Sequence, residues 1–199
     1  MLFSFPLFYW LPEVHCEGNT SVSLVLAGLL LKLGVYGLVR FIMSSFFLTI
    51  RFLSAFFILL SLIGILIVSN CFFRYYDLKK IISFCSVLHL NLTFVSTLSM
   101  NSIGVLCGII TSICHGFSSV GLFLFVGLLI SKTYSRFIDS LYYLKSLLRS
   151  LFFLLILVTI SFPGTFNFLC EILIMIAIVS IDWFFCGCFI VSSFLSTFY

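Results

Sequence analysis

Residues 103–131 read IGVLCGIITSICHGFSSVGLFLFVGLLIS, a run without aspartate, glutamate, lysine or arginine. As an α-helix the run is about 44 Å long at 1.5 Å per residue, more than the roughly 30 Å hydrocarbon core of a bilayer. A transmembrane β-strand needs only about 10 residues and alternates polar with apolar side chains. The stretch therefore predicts a membrane-spanning helix.

The whole chain has the same character. Of its 199 residues 63% are hydrophobic and 8% are charged, whereas soluble domains carry about 25% charged residues. In lipid every backbone amide must be satisfied internally, so we expect an all-α transmembrane fold.

The net charge of +4 is small and scattered, so nucleic acid is excluded as a partner. The eight cysteines include no C-x-x-C pair. Most of them lie inside apolar runs and are expected to be small buried hydrophobes, and no metal site is predicted.

Six spans of bilayer length can be drawn, and together they form a single membrane domain over residues 1–199. Their predicted bounds are 20–42, 50–71, 79–98, 103–131, 147–180 and 182–198. The fifth is too long for one straight span and contains Pro163 and Gly164, so we expect it to break near 163–167 at membrane depth. An ordinary proline kink is the alternative.

The orientation of the chain in the membrane is predicted from the number of lysine and arginine residues in alternate loops. Loops 72–80 and 131–149 hold seven such residues, and the opposite loops hold Arg40 and Arg51. The positive-inside rule places the first two loops in the matrix or cytoplasm.

Four ionisable side chains lie inside predicted spans, which is costly and usually functional. Lys32 lies about 18 Å from the start of its span, near the midplane. His115 is mid-span, His89 is about ten residues into the third span, and Glu171 follows the break. Together they suggest a proton relay, because burial disfavours the charged forms of lysine and glutamate and histidine titrates near neutrality. Packing histidines and a static Lys32–Glu171 ion pair are the alternatives.

Five motifs then resemble one family. They are WLPEVHCE at 10–17, LAGLLLKLGVYG at 26–37, DLKKIISFCSVLH at 77–89, HGFSS at 115–119 and PGTFNFLCE at 163–171. In this order and spacing they resemble subunit 4 of NADH–ubiquinone oxidoreductase, an antiporter-like subunit of respiratory complex I.

The resemblance implies half of an inverted-repeat fold and a polar axis that carries protons at the bilayer midplane. It makes Lys32 the central relay lysine, Glu171 the acidic end of the axis and His115 the bridge between them. It places His89 along the path and Lys79 near the matrix mouth. No catalytic or cofactor-binding residue is implied, since NADH, FMN, iron–sulfur clusters and ubiquinone are bound by other subunits of such complexes.

The chain departs from the family in extent, since the match covers only the second half of the family's chain. The expected partners are therefore membrane lipid, other membrane-arm subunits and a separate polypeptide that supplies the front half, including an acid near Lys32. The expected location is the mitochondrial inner membrane, consistent with the 27 phenylalanines of a T-rich coding sequence; a bacterial cytoplasmic membrane is the alternative.

The predicted function is proton translocation within the NADH:ubiquinone reductase. Two alternatives stay open. One is a subunit of a multisubunit cation/proton antiporter, which shares the repeat. The other is a structural piece of the membrane arm that does not conduct protons.

Overall fold

The computed structural model describes residues 7–42, 47–72, 74–143, 145–181 and 183–197. Within these ranges the chain is helical apart from short connections and one isolated β-bridge. We number the helices α1 (Trp10–Glu17), α2 (residues 20–42), α3 (Phe47–Phe72), α4 (Leu78–Leu98), α5 (Ser102–Thr133), α6 (Ser146–Thr159), α7 (Phe166–Val179) and α8 (Trp183–Thr197). Short 3₁₀ turns precede α1 at Leu7–Tyr9 and α6 at Ile138–Tyr143.

The predicted fold class, all-α and transmembrane, is confirmed. Among the residues that the structure describes, four segments are long and apolar enough to cross a membrane: Thr20–Arg40, Leu53–Cys71, Leu78–Leu98 and Ser102–Thr133. Helices α6 and α7 are shorter apolar helices, as expected for two halves of one span. The sequence did not predict α1. The organisation of residues 1–199 as one domain stays a prediction.

Helix α4 is the centre of the bundle, packed against α1, α3 and α5. Helix α4 is rich in serine and threonine. Each of their hydroxyl groups donates a hydrogen bond to the carbonyl three residues earlier, as Ser96 does to Thr93 at 2.8 Å. These hydroxyls are thereby satisfied without a partner helix. Small residues let membrane helices approach closely. A Cβ at Gly104 of α5 would collide with Ser99, the residue that follows α4, and a Cβ at Gly108 would collide with Ser96 of α4. These glycines therefore set the spacing of the two helices.

The break between α6 and α7 has a local cause. Ser161 has φ +60° and Gly164 has φ +103°, both left-handed, and only glycine adopts that conformation without strain. The hydroxyl of Thr165 then accepts a hydrogen bond from the Phe168 N–H at 3.4 Å and caps α7.

The interruption therefore covers residues 160–165 instead of the predicted 163–167. It starts earlier because Ser161 already leaves the helical conformation. It ends earlier because a threonine cap at position 165 lets α7 begin at once.

Helix α2 lies at the edge of the bundle and packs mainly on α5. Leu29 is 66% exposed and Leu33 62% exposed on its outer face. Segments Leu26–Leu30 and Leu38–Ile42 of α2 are π-helical, a wider winding that is frequent at functional sites. The first of these turns lies directly before Lys32.

Candidate functional site

Lys32 is tucked between α2 and α5. Its Nζ donates a hydrogen bond to the Ala27 carbonyl at 2.7 Å, one turn earlier on the π-helical segment. A Cβ at Gly116 would lie 2.8 Å from the Lys32 Cε, so the lysine stem crosses α5 where that helix has no side chain. No carboxylate in the part of the chain that the structure describes pairs with Lys32.

His115 precedes this glycine and is fully enclosed, 2% exposed. Its ring stacks on that of His89 from α4, with centroids 4.5 Å apart and planes 25° apart. Both nitrogens of His115 lack a hydrogen-bond partner among the described residues. Two titratable rings from different helices thus face each other in the centre of the bundle.

His89 connects this pair to the broken helix. Its Nε2 lies 2.9 Å from the carbonyl oxygen of Thr159, the last residue of α6. The next residues form the break, which leaves carbonyl groups at the end of α6 without intrahelical partners. Asn167 of α7 donates to another of them, that of Val158, at 3.0 Å. The interruption therefore creates the acceptors that hold His89 and the two half-helices.

Glu171 lies on α7 on the far side of the break, and its Oε1 accepts a hydrogen bond from Ser161. Ser161 is only two residues beyond Thr159, so the break itself links the histidine pair to the carboxyl group. The resulting order is Lys32, His115, His89, Thr159, Ser161, Glu171, which we call the axis. The structure thus connects four of the five predicted site residues through consecutive contacts.

Lys79, the fifth, lies off this line at one end of the bundle. It is 5% exposed, and its Nζ donates to the Gly18 carbonyl at 3.0 Å. Arg136 donates to the Cys16 carbonyl at 3.1 Å. Both cations thus meet the C-terminal end of α1, where the helix dipole favours positive charge.

Two adjoining cavities of about 540 and 630 Å³ open at this end of the bundle, and we call them together the vestibule. Both are lined by Cys16, Glu17 and Arg136. Lys79 lines the first, and the second adds Asp77. The vestibule is polar and charged, as an entrance for protons would be.

A third cavity, of about 460 Å³, lies beside Lys32 between α2 and α5. Gly28, Leu29, Phe117 and Val120 line it together with the lysine. We call this cavity the groove. It is apolar except for the amine, and it opens to the side of the bundle.

Sequence reasoning missed three groups near the axis: Ser161, the Thr159 carbonyl and His15. Ser161 and Thr159 carry no motif of their own and matter only because the helix breaks there. His15 is different, since the sequence held a signal for it. Leu11, Pro12 and His15 follow helical spacing, and all three are buried, which marks an inward-facing histidine.

Comparison with known proteins shows the family to which the chain belongs. Residues 3–196 match the profile of the family described as NADH:quinone oxidoreductase/Mrp antiporter, transmembrane. The chain belongs to this family.

Curated relatives of the family are consistent with this. The chain is 38% identical over 174 residues to NADH-ubiquinone oxidoreductase chain 4 of Triticum aestivum, covering 86% of this chain and 35% of the relative. It is 35% identical over 180 residues to the protein of the same name from Chondrus crispus, covering 89% of this chain and 37% of the relative. The chain therefore spans about a third of the length of these relatives.

Two solved structures share the fold. A chain of respiratory complex I from Thermus thermophilus superposes with a TM-score of 0.89 at 23% identity, over 97% of this chain and 42% of that one. A chain of the Mrp complex from Dietzia sp. DQ12-45-1b superposes with a TM-score of 0.87 at 20% identity, over 98% of this chain and 37% of that one. At these identities the likeness concerns the fold alone.

Proposed function

We propose that this chain is part of the membrane arm of a respiratory complex I and takes part in proton translocation coupled to electron transfer from NADH to ubiquinone. The observation that carries the proposal is the axis. Titratable groups on α2, α4, α5 and α7 follow one another across the bundle at membrane depth, where ionisable side chains are expensive. A bundle that needed only to be stable would be expected to bury apolar residues at these positions.

The proposed relay uses each group for its chemistry. Lys32 exchanges a proton at its amine, the stacked rings of His115 and His89 pass protons through their nitrogens, and Glu171 receives the proton at its carboxyl group. Ser161 orients that carboxyl group across the break. Lys79 serves the vestibule, not the axis. In this proposal the chain forms and breaks no bonds other than those to hydrogen.

The remaining parts of the complex belong to other chains in this proposal. NADH, FMN, the iron–sulfur clusters and ubiquinone are bound by other subunits. The groove beside Lys32 is covered by membrane helices of a separate polypeptide that completes the front half, since a lysine facing an open apolar groove needs a protein partner. The chain 4 relatives from plants and algae favour the mitochondrial inner membrane.

The test is proton-to-electron stoichiometry in assembled complex that carries Lys32→Arg. Guanidinium keeps the positive charge but does not release its proton, so the ratio of protons pumped to electrons transferred should fall. Lys32→Ala and Glu171→Gln should have the same effect, whereas Glu171→Asp should retain part of the activity. An unchanged ratio at an unchanged rate in Lys32→Arg would mean that the lysine is only a structural charge, and the chain would then be a scaffold.

The second candidate is a subunit of a multisubunit cation/proton antiporter. It is favoured by the superposition on the Mrp complex. Purification separates the two functions. A chain that copurifies with NADH dehydrogenase activity supports the complex I assignment, whereas sodium-dependent proton exchange without that activity supports the antiporter.

A further inference from the structure

His15 is a buried titratable group that the axis does not use. It lies on α1 with 0% exposure, and neither ring nitrogen has a hydrogen-bond partner among the described residues. Its ring stacks on Phe123 of α5 at a centroid distance of 4.8 Å and an angle of 14°. Phenylalanine in place of His15 would keep this stacking, so packing alone does not require a histidine. Polar atoms buried without partners are costly, which points to a role for the nitrogens.

The position of His15 joins two sites that are otherwise separate. The residues that follow it, Cys16 to Gly18, line the vestibule. Towards the membrane, the ring is within electrostatic range of Lys32 and of His115, and towards the vestibule it is within range of Lys79. Glu13 and Glu17 lie on the exposed face of the same helix. His15 therefore lies on the helix whose C-terminal end lines the vestibule, within electrostatic range of Lys32 at the start of the axis.

The electrostatics keep the ring neutral. Burial, followed by the positive charges of Lys32 and Lys79, lowers the pKa of His15 to about 4. α1 precedes the first segment that is long enough to span the membrane. A ring that stays neutral at pH 7 offers one nitrogen as acceptor and the other as donor, which suits a group that passes a proton on without retaining it.

We propose that His15 transfers protons between the vestibule and Lys32, which makes the vestibule the entrance to the axis. The inference rests on the proposed function. In the transfer, a hydronium ion that enters from the vestibule gives its proton to one ring nitrogen and leaves as water, while the other nitrogen passes its proton through a bridging water molecule to the neutral amine of Lys32. The ring ends as its other tautomer, its charge is unchanged, and rotation of the ring restores the starting form.

The test is chemical rescue in the assembled complex. His15→Ala removes the ring and should reduce proton pumping about tenfold, since positioned proton-transfer groups contribute at least that much. Imidazole added to the medium should restore pumping through the vestibule. Pyrazole has the same size and shape but is a far weaker base, so it should refill the space without restoring pumping.

His15→Phe is the matched structural variant, because it keeps the stacking on Phe123 and removes both nitrogens. It should assemble in normal amounts, measured on native gels and by NADH oxidation with an artificial acceptor, and it should still lose pumping. Normal pumping in His15→Phe, or equal rescue by imidazole and pyrazole, would overturn the proposal. His15→Gln extends the same measurement if the other variants assemble poorly.

Lys32→Arg, measured in parallel, separates the two proposals. If Lys32→Arg loses pumping and the His15 variants keep it, the entrance lies elsewhere and the proposed function stands. If Lys32→Arg also pumps normally, the proposed function itself fails.

Discussion

At the scale of single residues, the site depends on two residues that do not titrate but position those that do. Gly116 has no side chain, so the stem of Lys32 can cross α5 beside His115. Ser161 takes a left-handed conformation and thereby reaches Glu171 across the break. Neither residue titrates in the relevant range, yet each fixes the position of one that does.

Gly116→Ala should lower proton pumping with little loss of assembled complex. The added methyl group would lie 2.8 Å from the Lys32 Cε, and the flexible lysine can move away at small cost in stability but not without losing its place. Pumping per assembled complex is the measurement. Gly37→Ala on α2 is the control, because nothing lies within 4 Å of its Cβ position; equal effects of the two substitutions would contradict the explanation.

Ser161→Ala should reduce pumping by less than Glu171→Gln does. The substitution removes the hydroxyl that orients the Glu171 carboxyl group but keeps the carboxyl group itself. Ser150→Ala is a suitable control, since Ser150 is exposed and donates only to the Leu147 carbonyl at 2.8 Å. A Ser161→Ala variant with full pumping would show that the hydroxyl has no part in the relay.

At the scale of elements, the contacts of the axis depend on the interrupted helix formed by α6 and α7. A continuous helix through residues 160–165 would use the Thr159 carbonyl in its own hydrogen bonding. The break leaves that carbonyl to His89 and places Ser161 next to Glu171. Helix α5 adds the other half of the histidine pair, and its glycines set its distance from α4.

The orientation of these elements in the membrane is a prediction of the charge count. We expect cysteine at position 139, in the exposed turn before α6, to react with an impermeant thiol reagent from the matrix or cytoplasmic side only. Cysteine at the exposed position 102, at the start of α5, should react from the opposite side. The unmodified chain, with its eight native cysteines, supplies the background, and labelling of position 139 from the intermembrane space would reverse the topology.

At the scale of the whole molecule, helix α2 lies on an open side of the bundle. Helix α4 is enclosed, whereas α2 exposes apolar residues along its length and leaves Lys32 beside the open groove. Lipid can cover the apolar residues of α2 but satisfies a lysine amine poorly. The difference between the enclosed α4 and the exposed α2 is expected of a chain that functions beside other membrane subunits.

A photoreactive amino acid at Leu29, in the groove and 66% exposed, should therefore cross-link to another polypeptide of the complex. The same group at Tyr142, in the exposed turn before α6, is the control for chance contacts. Mass spectrometry of the Leu29 product identifies the partner, and an acid on the cross-linked segment would supply the expected counter-charge for Lys32. Cross-linking of Leu29 to lipid alone would contradict the proposal of a covering polypeptide.

The sequence by itself determined the fold class and the spans to within a few residues, and it singled out Lys32, His89, His115 and Glu171 as candidates. Length, apolar runs and charges at membrane depth are local properties, and the lipid environment makes them decisive because it permits few alternatives to a helix. Tertiary structure alone decided which of these residues meet. The 4.5 Å stacking of two histidines from α4 and α5, the lysine stem across a glycine and the enclosure of His15 all depend on how helices rotate and pack against each other. Hydrophobic periodicity leaves that rotation undetermined when nearly every face of a helix is apolar.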